Sequence, residues 1–271
     1  LTILLVCFFL LRGLFLERLP AGLHTDEAGT IDFTMRHIYP EFEHTLNPFI
    51  TGINLQPSLH NYIVRLSILL VGYTKTGFRL PSAIAGAFAV LAAFFLVSVS
   101  NNRRTAWLAA IILVCYQYHL QWSRIGLNNV WVTLWIPLTL ACFLWGWREK
   151  WNGGAVLGGI ALGLTAYFYA GGTIVILLLI YVFLDLWVKN KSEIDRHQLL
   201  IYAGKMIATA SAVAGPLIVF AICRSDLFVG RFRQLFVWTP ENITLVTGNP
   251  ANYLGFFWHQ LIQAFGMFVA T

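Results

Sequence analysis

Several stretches of about 18 residues or more carry few or no charged side chains, and they restrict this chain to a small set of folds. A helix of that length is roughly what is needed to cross about 30 Å of hydrocarbon. Hydrophobic residues make up 58% of the 271 residues and charged residues only 11%, whereas a soluble domain is about one-quarter charged. The sequence therefore predicts an all-α protein, a polytopic bundle of transmembrane helices.

The apolar stretches divide the chain into predicted spans and loops. Residues 1–16 are the remainder of a first span, and a last span opens near Tyr253. Between them we predict spans at 80–100, 106–122, 130–147, 154–170, 172–188 and 199–223. The chain does not begin with Met and is apolar at both ends, so we expect both ends to be truncated and residues 1–271 to form a single membrane module.

Basic residues fall in every second connection between these spans. Three alternate loops hold seven of them: Arg103, Arg104, Arg148, Lys150, Lys189, Lys191 and Arg196. The short loops between these hold only Arg124. Because basic loops stay in the cytoplasm, residues 17–79, the Arg124 loop, Gly171 and residues 224–252 are predicted to lie on the outer face. The net charge of +6 is explained by this asymmetry, so no nucleic-acid partner is expected.

Two amphipathic helices are predicted in the first outer loop, lying along the membrane surface. Pro57–Gly72 reaches only about 24 Å as a helix, and it carries one apolar stripe (Leu59, Tyr62, Ile63, Leu66, Leu69 and Leu70). A short, tilted spanning helix is the alternative for it. The second runs over residues 27–38, with Ile31, Met35 and Ile38 on one face, an Asp32–Arg36 pair and Pro40 after its end.

Asp26 stands at the start of the earlier of these helices, at the membrane boundary. One interpretation is structural, because an Asp at a helix start caps free N–H groups and interacts favourably with the helix dipole. The other is functional: a general base or metal-orienting carboxylate that faces a cavity at the lipid surface.

Residues 116–129, at the outer end of the third span, are rich in aromatic and amide side chains, including Tyr118, Trp122 and Asn129. Such residues form the usual aromatic belt of a membrane protein. They are also suited to a sugar site, since aromatic rings stack on sugars and amides bind hydroxyl groups. Both interpretations stay open here.

Arginines in the outer segments are candidates for a phosphate. Arg231 and Arg233 follow the last complete span, and Arg124 lies between two earlier ones. A guanidinium fork binds phosphate well, although contacts with anionic lipid headgroups would also explain arginine at an interface. The sequence shows no His/Cys cluster with metal-ligand spacing.

Four short segments, in this order, resemble one family of membrane enzymes: Leu23–Ala28 (Leu-His-Thr-Asp-Glu-Ala), Gln56–Leu59, Gly77–Ser82 and Trp122–Gly126. With their spacing and predicted sidedness, they resemble the GT-C membrane glycosyltransferases, in particular the protein O-mannosyltransferase and lipid A aminoarabinose transferase type. The similarity covers essentially the whole fragment.

The resemblance implies transfer of a hexose or pentose from a polyprenyl-phosphate donor to a lipid, glycan or protein acceptor. It places that reaction on the outer face of a bacterial or archaeal plasma membrane. Asp26 matches the family's catalytic Asp, and Glu27 is assigned to the site beside it. The lipid-phosphate leaving group calls for cations, and the arginines above are assigned to it. Gln56, His60, Tyr118, Trp122 and Asn129 complete the predicted substrate site.

The chain departs from the lipid A subgroup in two places. This chain has Leu55-Gln56 where that subgroup has a Glu-Lys pair, and Asn129 where it has an Asp. Lipid-phosphate or metal contacts made there are not carried over, so the acceptor stays open, and a divalent cation is the one cofactor still considered. The alternative functions are a transporter or flippase of lipid-linked glycans, or a non-catalytic binder of them. A transporter favours internal repeats or midplane charges, which the sequence does not show convincingly.

Overall fold

The computed structural model describes residues 9–37, 49–50, 56–235 and 238–269, and most of these are helical. A short stretch, α1, covers residues 9–13. The other helices follow in chain order, with two short antiparallel strands, β1 (Phe49–Ile50) and β2 (Gln56–Pro57), after the second helix. Their bounds are α2 (Thr25–His37), α3 (Leu59–Val71), α4 (Lys75–Ser100), α5 (Arg103–Cys115), α6 (Gln117–Ser123), α7 (Val130–Arg148), α8 (Asn152–Thr165), α9 (Ile174–Lys189), α10 (Glu193–Cys223), α11 (Ser225–Leu235), α12 (Pro240–Thr247) and α13 (Tyr253–Val269).

Among the described residues, four helices are long and apolar enough to cross a membrane: α4, α7, α10 and α9 taken with the 3-10 turn Ala170–Thr173 before it. They coincide with four predicted spans and confirm the predicted all-α polytopic fold. The helix α4 begins at Lys75, five residues before the predicted start, because the Thr74 hydroxyl caps it by accepting a hydrogen bond from the Gly77 N–H. Arg79 therefore lies inside the helix.

Two predicted spans are shorter or interrupted in the structure. The predicted helix 106–122 is broken at Tyr116, where the backbone is extended, into α5 and α6. After the break, the His119 ring turns inwards, with Nδ1 3.0 Å from Arg12 Nη2 and Nε2 3.1 Å from Thr133 Oγ1. The predicted helix 154–170 ends at Thr165. The backbone then turns, and the carbonyl of Phe168 accepts a hydrogen bond from Asn128.

The centre of the bundle is formed where α4 packs against α7, α7 against α8, and α8 against α10. Small residues allow these helices to approach closely. At the crossing of α7 and α8, a Cβ added to Gly154 would come closer than van der Waals contact to the Cα of Gly146. The backbones of the two helices therefore touch at this point, and side chains larger than hydrogen are excluded.

The amphipathic helix α3 packs its polar side against the protein. His60, Asn61 and Ser67 are buried, whereas Leu66, Leu69 and Leu70 are exposed. In water this arrangement would be unfavourable, but a helix at a membrane boundary turns its apolar stripe towards lipid. The predicted helix is confirmed; its position along the outer interface stays a prediction.

The predicted α2 helix is also confirmed, and Ile31 and Met35 pack on the Val64, Ile68 and Phe78 cluster of α3 and α4. Ile38, Pro40 and the side chain of Arg36, and with it the predicted Asp32–Arg36 pair, lie outside the described residues.

The connections between helices gather at two ends of the bundle. Arg148, at the end of α7, donates to the carbonyl of Val99 near the end of α4, and the basic loops after α7 and α9 line one cavity. At the opposite end, the Arg124 loop contacts the segment after α1, and the α8–α9 connection contacts Asn128. This grouping agrees with the predicted alternation of basic and non-basic loops.

The chain divides into two compact units, Leu1–Cys223 and Arg224–Thr271. In the second unit α12 packs against α13, and the ring of Trp238 lies edge-on to Phe256. A single module over residues 1–271 stays a prediction.

Candidate active site

Two adjacent carboxylates open α2, and their surroundings differ completely. Glu27 is fully buried, whereas the Asp26 side chain is 74% exposed. The helix begins at Thr25, so Asp26 is inside its first turn rather than at the capping position. The predicted capping role therefore has no support in the described contacts, although a carboxylate in this turn still interacts favourably with the helix dipole.

Glu27 forms a two-pronged ion pair with Arg79 of α4. The Nε of Arg79 lies 2.7 Å from Glu27 Oε1, and Nη2 lies 3.0 Å from Oε2. The backbone N–H groups of Gly126 and His24 donate to the same two oxygens, at 3.0 and 3.3 Å. Each oxygen of Glu27 therefore accepts two hydrogen bonds, which is about the full capacity of an ionised carboxylate.

Arg79 is equally well satisfied by the chain around it. Besides its bonds to Glu27, its two terminal nitrogens donate to the carbonyls of Leu16, Pro20 and Gly22 at 2.6–2.9 Å. All five N–H donors of the guanidinium are therefore used. The pair joins the segment after α1 to α2, α4 and the Gly126 loop.

The catalytic role predicted for Glu27 stays untested, and this geometry does not favour it. A carboxylate that already accepts four hydrogen bonds inside the protein has no lone pair turned towards a substrate. Its contacts are those of a residue that fixes the start of α2.

His24 and Trp122 lie beside Asp26. The Asp26 N–H lies 3.2 Å from Nδ1 of His24, and one carboxylate oxygen of Asp26 lies 3.8 Å from the same nitrogen. The His24 and Trp122 rings are tilted with their centres 5.9 Å apart. An exposed carboxylate, an imidazole and an indole thus follow one another in space. That Asp26 and Trp122 share a sugar site stays a prediction.

Arg124 lies next to this group and binds backbone carbonyls. Its Nη1 donates to Leu11, and its Nη2 donates to Leu14 at 2.6 Å and more weakly to Leu19. Partial burial lowers the pKa of Arg124, and the positive charge of Arg79 lowers it further. Nη1 thus contacts α1 and Nη2 contacts the segment after it. A phosphate contact by Arg124 stays a prediction.

His60 is buried, with 1% of its surface exposed, and both ring nitrogens have partners. The indole N–H of Trp131 donates to Nδ1 at 3.1 Å, and Nε2 lies 3.4 Å from the carbonyl of Gly126. Since Trp131 can only donate, Nε2 must carry the proton of the neutral ring. Burial lowers the pKa of His60 to about 4. These contacts indicate a structural role, so the predicted substrate contact of His60 is not favoured.

The other predicted substrate residues are distributed around the same end of the bundle. Gln56 in β2 accepts a hydrogen bond from Asn128. The Oδ1 of Asn129 is buried without a hydrogen-bond partner among the described residues. Tyr118 is exposed, with its ring 6.1 Å from that of Tyr116. Their roles stay predictions.

Arg231 and Arg233 belong to α11, in the second unit. Their side chains lie outside the described residues, so nothing in the structure bears on their predicted phosphate contacts. Within the described part of the chain, no group of three or more His, Cys, Asp or Glu side chains is placed to hold a metal ion. The expectation of a divalent cation stays untested.

Sequence reasoning did not assign Arg79, His24 or the N–H of Gly126 to the site. One signal was available for Arg79, because a charged residue at the start of an apolar span is costly unless it is paired. No comparable signal marks a backbone N–H as a ligand.

Four helices long and apolar enough to cross a membrane, with an exposed carboxylate at the start of α2 at one end of the bundle, define a polytopic membrane protein with a candidate active site at that end. The chain belongs to the dolichyl-phosphate-mannose-protein mannosyltransferase family, whose sequence model matches residues 3–224. This confirms the predicted resemblance and makes the chain an integral membrane glycosyltransferase of the mannosyltransferase type. No curated protein matches the sequence closely enough to count as a relative.

Proposed function

We propose that this chain carries the catalytic part of an enzyme that transfers a sugar from a polyprenyl-phosphate donor to an acceptor hydroxyl, with Asp26 as general base. The reaction takes place on the outer face of the plasma membrane. The observation that carries the proposal is the contrast between neighbouring carboxylates: Glu27 is buried and saturated with hydrogen bonds, and Asp26 is exposed.

This contrast gives the two residues different tasks. Arg79, Gly126 and His24 hold Glu27 from three directions. Asp26 is one peptide away, so its backbone is held by the same contacts while its carboxylate faces outwards. A side chain whose backbone is fixed and whose carboxylate is accessible can be positioned against a bound hydroxyl group. Such positioning of a catalytic group lowers the activation barrier of the reaction.

In the proposed reaction, the Asp26 carboxylate takes the proton of the acceptor hydroxyl, or orients it. The acceptor oxygen forms a bond to the anomeric carbon of the sugar. The bond from that carbon to the phosphate oxygen breaks, and its electron pair leaves with the polyprenyl phosphate. The ring of Trp122 lies next to that of His24, the residue that contacts Asp26, and supplies an apolar face of the kind on which sugars stack.

An apolar groove beside this site supports a polyprenyl donor. It has a volume of about 620 Å³, and its lining is apolar apart from one arginine: Leu10, Leu11, Leu14, Phe15, Leu19, Leu120 and Arg124. A guanidinium at the edge of an apolar groove matches a ligand with a hydrocarbon chain and a phosphate. The predicted contributions of Arg231 and Arg233 to the leaving group belong to the same proposal.

The experiment that tests the proposal is Asp26→Asn in the full-length protein, reconstituted in vesicles with dolichyl- or other polyprenyl-phosphate mannose, the donor that the family's name suggests. Loss of a general base is expected to slow transfer by about 10²–10⁴-fold, while donor binding is retained. Asp32→Asn makes the same change on the same helix and is expected to leave the transfer rate near that of the wild type.

Transfer at the wild-type rate by Asp26→Asn would refute the role of Asp26. A transporter or flippase would give a different result, because movement of the lipid-linked sugar across the vesicle membrane would then be the activity measured, with no glycosylated product formed.

A further inference from the structure

A polar cavity opens at the other end of the bundle from Asp26. Its volume is about 590 Å³, and the ends of α7 and α9 and the starts of α8 and α10 form its walls. The helix α7 runs from the Gly126 loop to this cavity, and its 19 residues correspond to about 28 Å. The cavity is therefore separate from the candidate active site by roughly the thickness of the hydrocarbon core.

The lining of this cavity is predominantly cationic. Arg148, Lys150 and Lys205 contribute three positive charges, and Asp195 contributes one negative charge. Lys205 is oriented by a hydrogen bond from its Nζ to Asn152 Oδ1, at 3.0 Å. Three cations facing a common space repel one another, and an anion between them would relieve that repulsion.

An amide donor in the wall also lacks an acceptor. Asn190 lines the cavity, and its Nδ2 is buried without a hydrogen-bond partner among the described residues. A buried N–H without a partner is costly. An oxyanion is the kind of ligand that would satisfy this amide and the neighbouring ammonium groups together.

Lys150 has an unusual backbone conformation for its residue type. Its φ is +51°, in the left-handed region that glycine adopts most easily. The Trp151 N–H bonds to the carbonyl of Gly146, and the Lys150 N–H bonds to that of Trp147, which is the helix ending that normally places glycine here. A lysine held at this position in spite of the strain supplies a cation to the cavity wall that glycine could not.

Apolar side chains adjoin the cations. Trp147, Leu186 and Ile201 line the same cavity, and α7, α9 and α10 are three of the membrane-spanning helices. A cationic cavity at the end of such helices lies at the level of lipid headgroups, and its apolar wall is suited to the upper part of an acyl chain.

We propose that this cavity binds the phosphate of an anionic membrane lipid, between Lys150, Lys205 and the Asn190 amide. This inference is independent of the transfer reaction proposed above, because it concerns the opposite end of the bundle and is tested by binding alone. A phosphate could also come from solution, so the experiment includes inorganic phosphate.

The test is lipid binding to the detergent-solubilised full-length protein, measured by native mass spectrometry during titration with phosphatidylglycerol or phosphatidylcholine. The wild type is expected to bind phosphatidylglycerol more tightly. Lys150→Gly and Lys205→Gln are each expected to weaken that binding about tenfold, the usual effect of losing one charge-assisted hydrogen bond. Lys191→Gln removes a lysine outside the cavity lining and is expected to bind like the wild type.

Lys150→Gly keeps the test decisive if Lys205→Gln fails to fold. Because glycine fits the left-handed position, this variant is expected to unfold at the same temperature as the wild type or higher. Its binding of phosphatidylglycerol is nevertheless expected to be weaker. Equal binding of both lipids, or an equal loss in Lys191→Gln, would overturn the proposal. Inorganic phosphate that binds as tightly as phosphatidylglycerol would show a site for a free anion and would overturn the assignment to lipid.

Discussion

The Glu27 carboxylate and the Arg79 guanidinium, 52 residues apart in the chain, form a buried pair in which all five guanidinium N–H groups have an acceptor. Two backbone N–H groups complete the shell around Glu27. A buried ion pair stabilises a fold only when its remaining hydrogen-bonding groups are satisfied, and here they are. This pair is therefore what holds the start of α2, and the segment before it, against α4 and the Gly126 loop.

Arg79→Lys is expected to destabilise the protein strongly although the charge is kept. An ammonium has three donors and cannot replace five in a planar arrangement, so carbonyls of the loop are left without partners. Breaking a buried pair costs about 3–5 kcal/mol. The loss is measured as the change in the free energy of unfolding in detergent. Arg103→Lys, at an exposed position of α5, is the control and is expected to change it by less than about 0.5 kcal/mol.

A double variant in which both Glu27 and Arg79 are replaced by methionine is expected to remain less stable than the wild type. In many proteins a buried pair can be exchanged for apolar residues at little cost. Here Arg79 also satisfies the carbonyls of Leu16, Pro20 and Gly22, which methionine cannot do. A double variant as stable as the wild type would show that these three carbonyl contacts contribute nothing.

Asp26→Asn and Glu27→Gln make the same chemical change at adjacent residues, and we expect a large loss of stability from Glu27→Gln and a small effect from Asp26→Asn. Glu27→Gln leaves the Arg79 charge buried and uncompensated, so the unfolding temperature should fall markedly. Asp26→Asn removes an exposed charge from the first turn of a helix, an effect of less than about 1 kcal/mol. Thermal unfolding of the two variants, measured side by side, distinguishes the two roles; equal losses would contradict the division between them.

Gly154→Ala is expected to separate α7 from α8. The added methyl group would come closer than van der Waals contact to the Cα of Gly146 and the hydroxyl of Tyr202, and overpacking of this kind costs about 1–3 kcal/mol. Gly204→Ala in α10 is the matched control, because a Cβ there meets nothing within 4 Å. That variant is expected to be neutral or slightly more stable, since alanine favours a helix more than glycine does.

Hydropathy predicted much of the bundle but not its internal partners. The ends of α4 at Ser100 and of α10 at Cys223 are where the predicted spans end, because the loss of apolar character marks the edge of the membrane. Hydropathy contains no information about which polar groups meet across the bundle. The partnership of Glu27 with Arg79 and the inward turn of His119 are therefore visible only in three dimensions.

The helix α3 shows a second limit of prediction from sequence. Its apolar and polar faces could be read from spacing alone, but the rule that apolar residues face the protein does not hold at a lipid boundary. His60 and Asn61 are buried while Leu69 and Leu70 are exposed. Spacing therefore does not show which polar residues of α3 are accessible, and His60, which the family resemblance assigns to the substrate site, is one of the buried ones.

The buried state of His60 has a consequence for stability at low pH. Burial lowers its pKa to about 4, below the value of about 6.5 in an unfolded chain. The unfolded state therefore takes up the proton first, so the stabilisation by neutral His60 is complete above pH 6.5 and is lost as the pH falls towards 4. The difference in pKa corresponds to a loss of about 3 kcal/mol. Unfolding temperatures of the wild type and His60→Gln, compared between pH 7.5 and pH 4, isolate this effect: the variant should start less stable and lose less, and parallel curves would show that His60 does not titrate with folding.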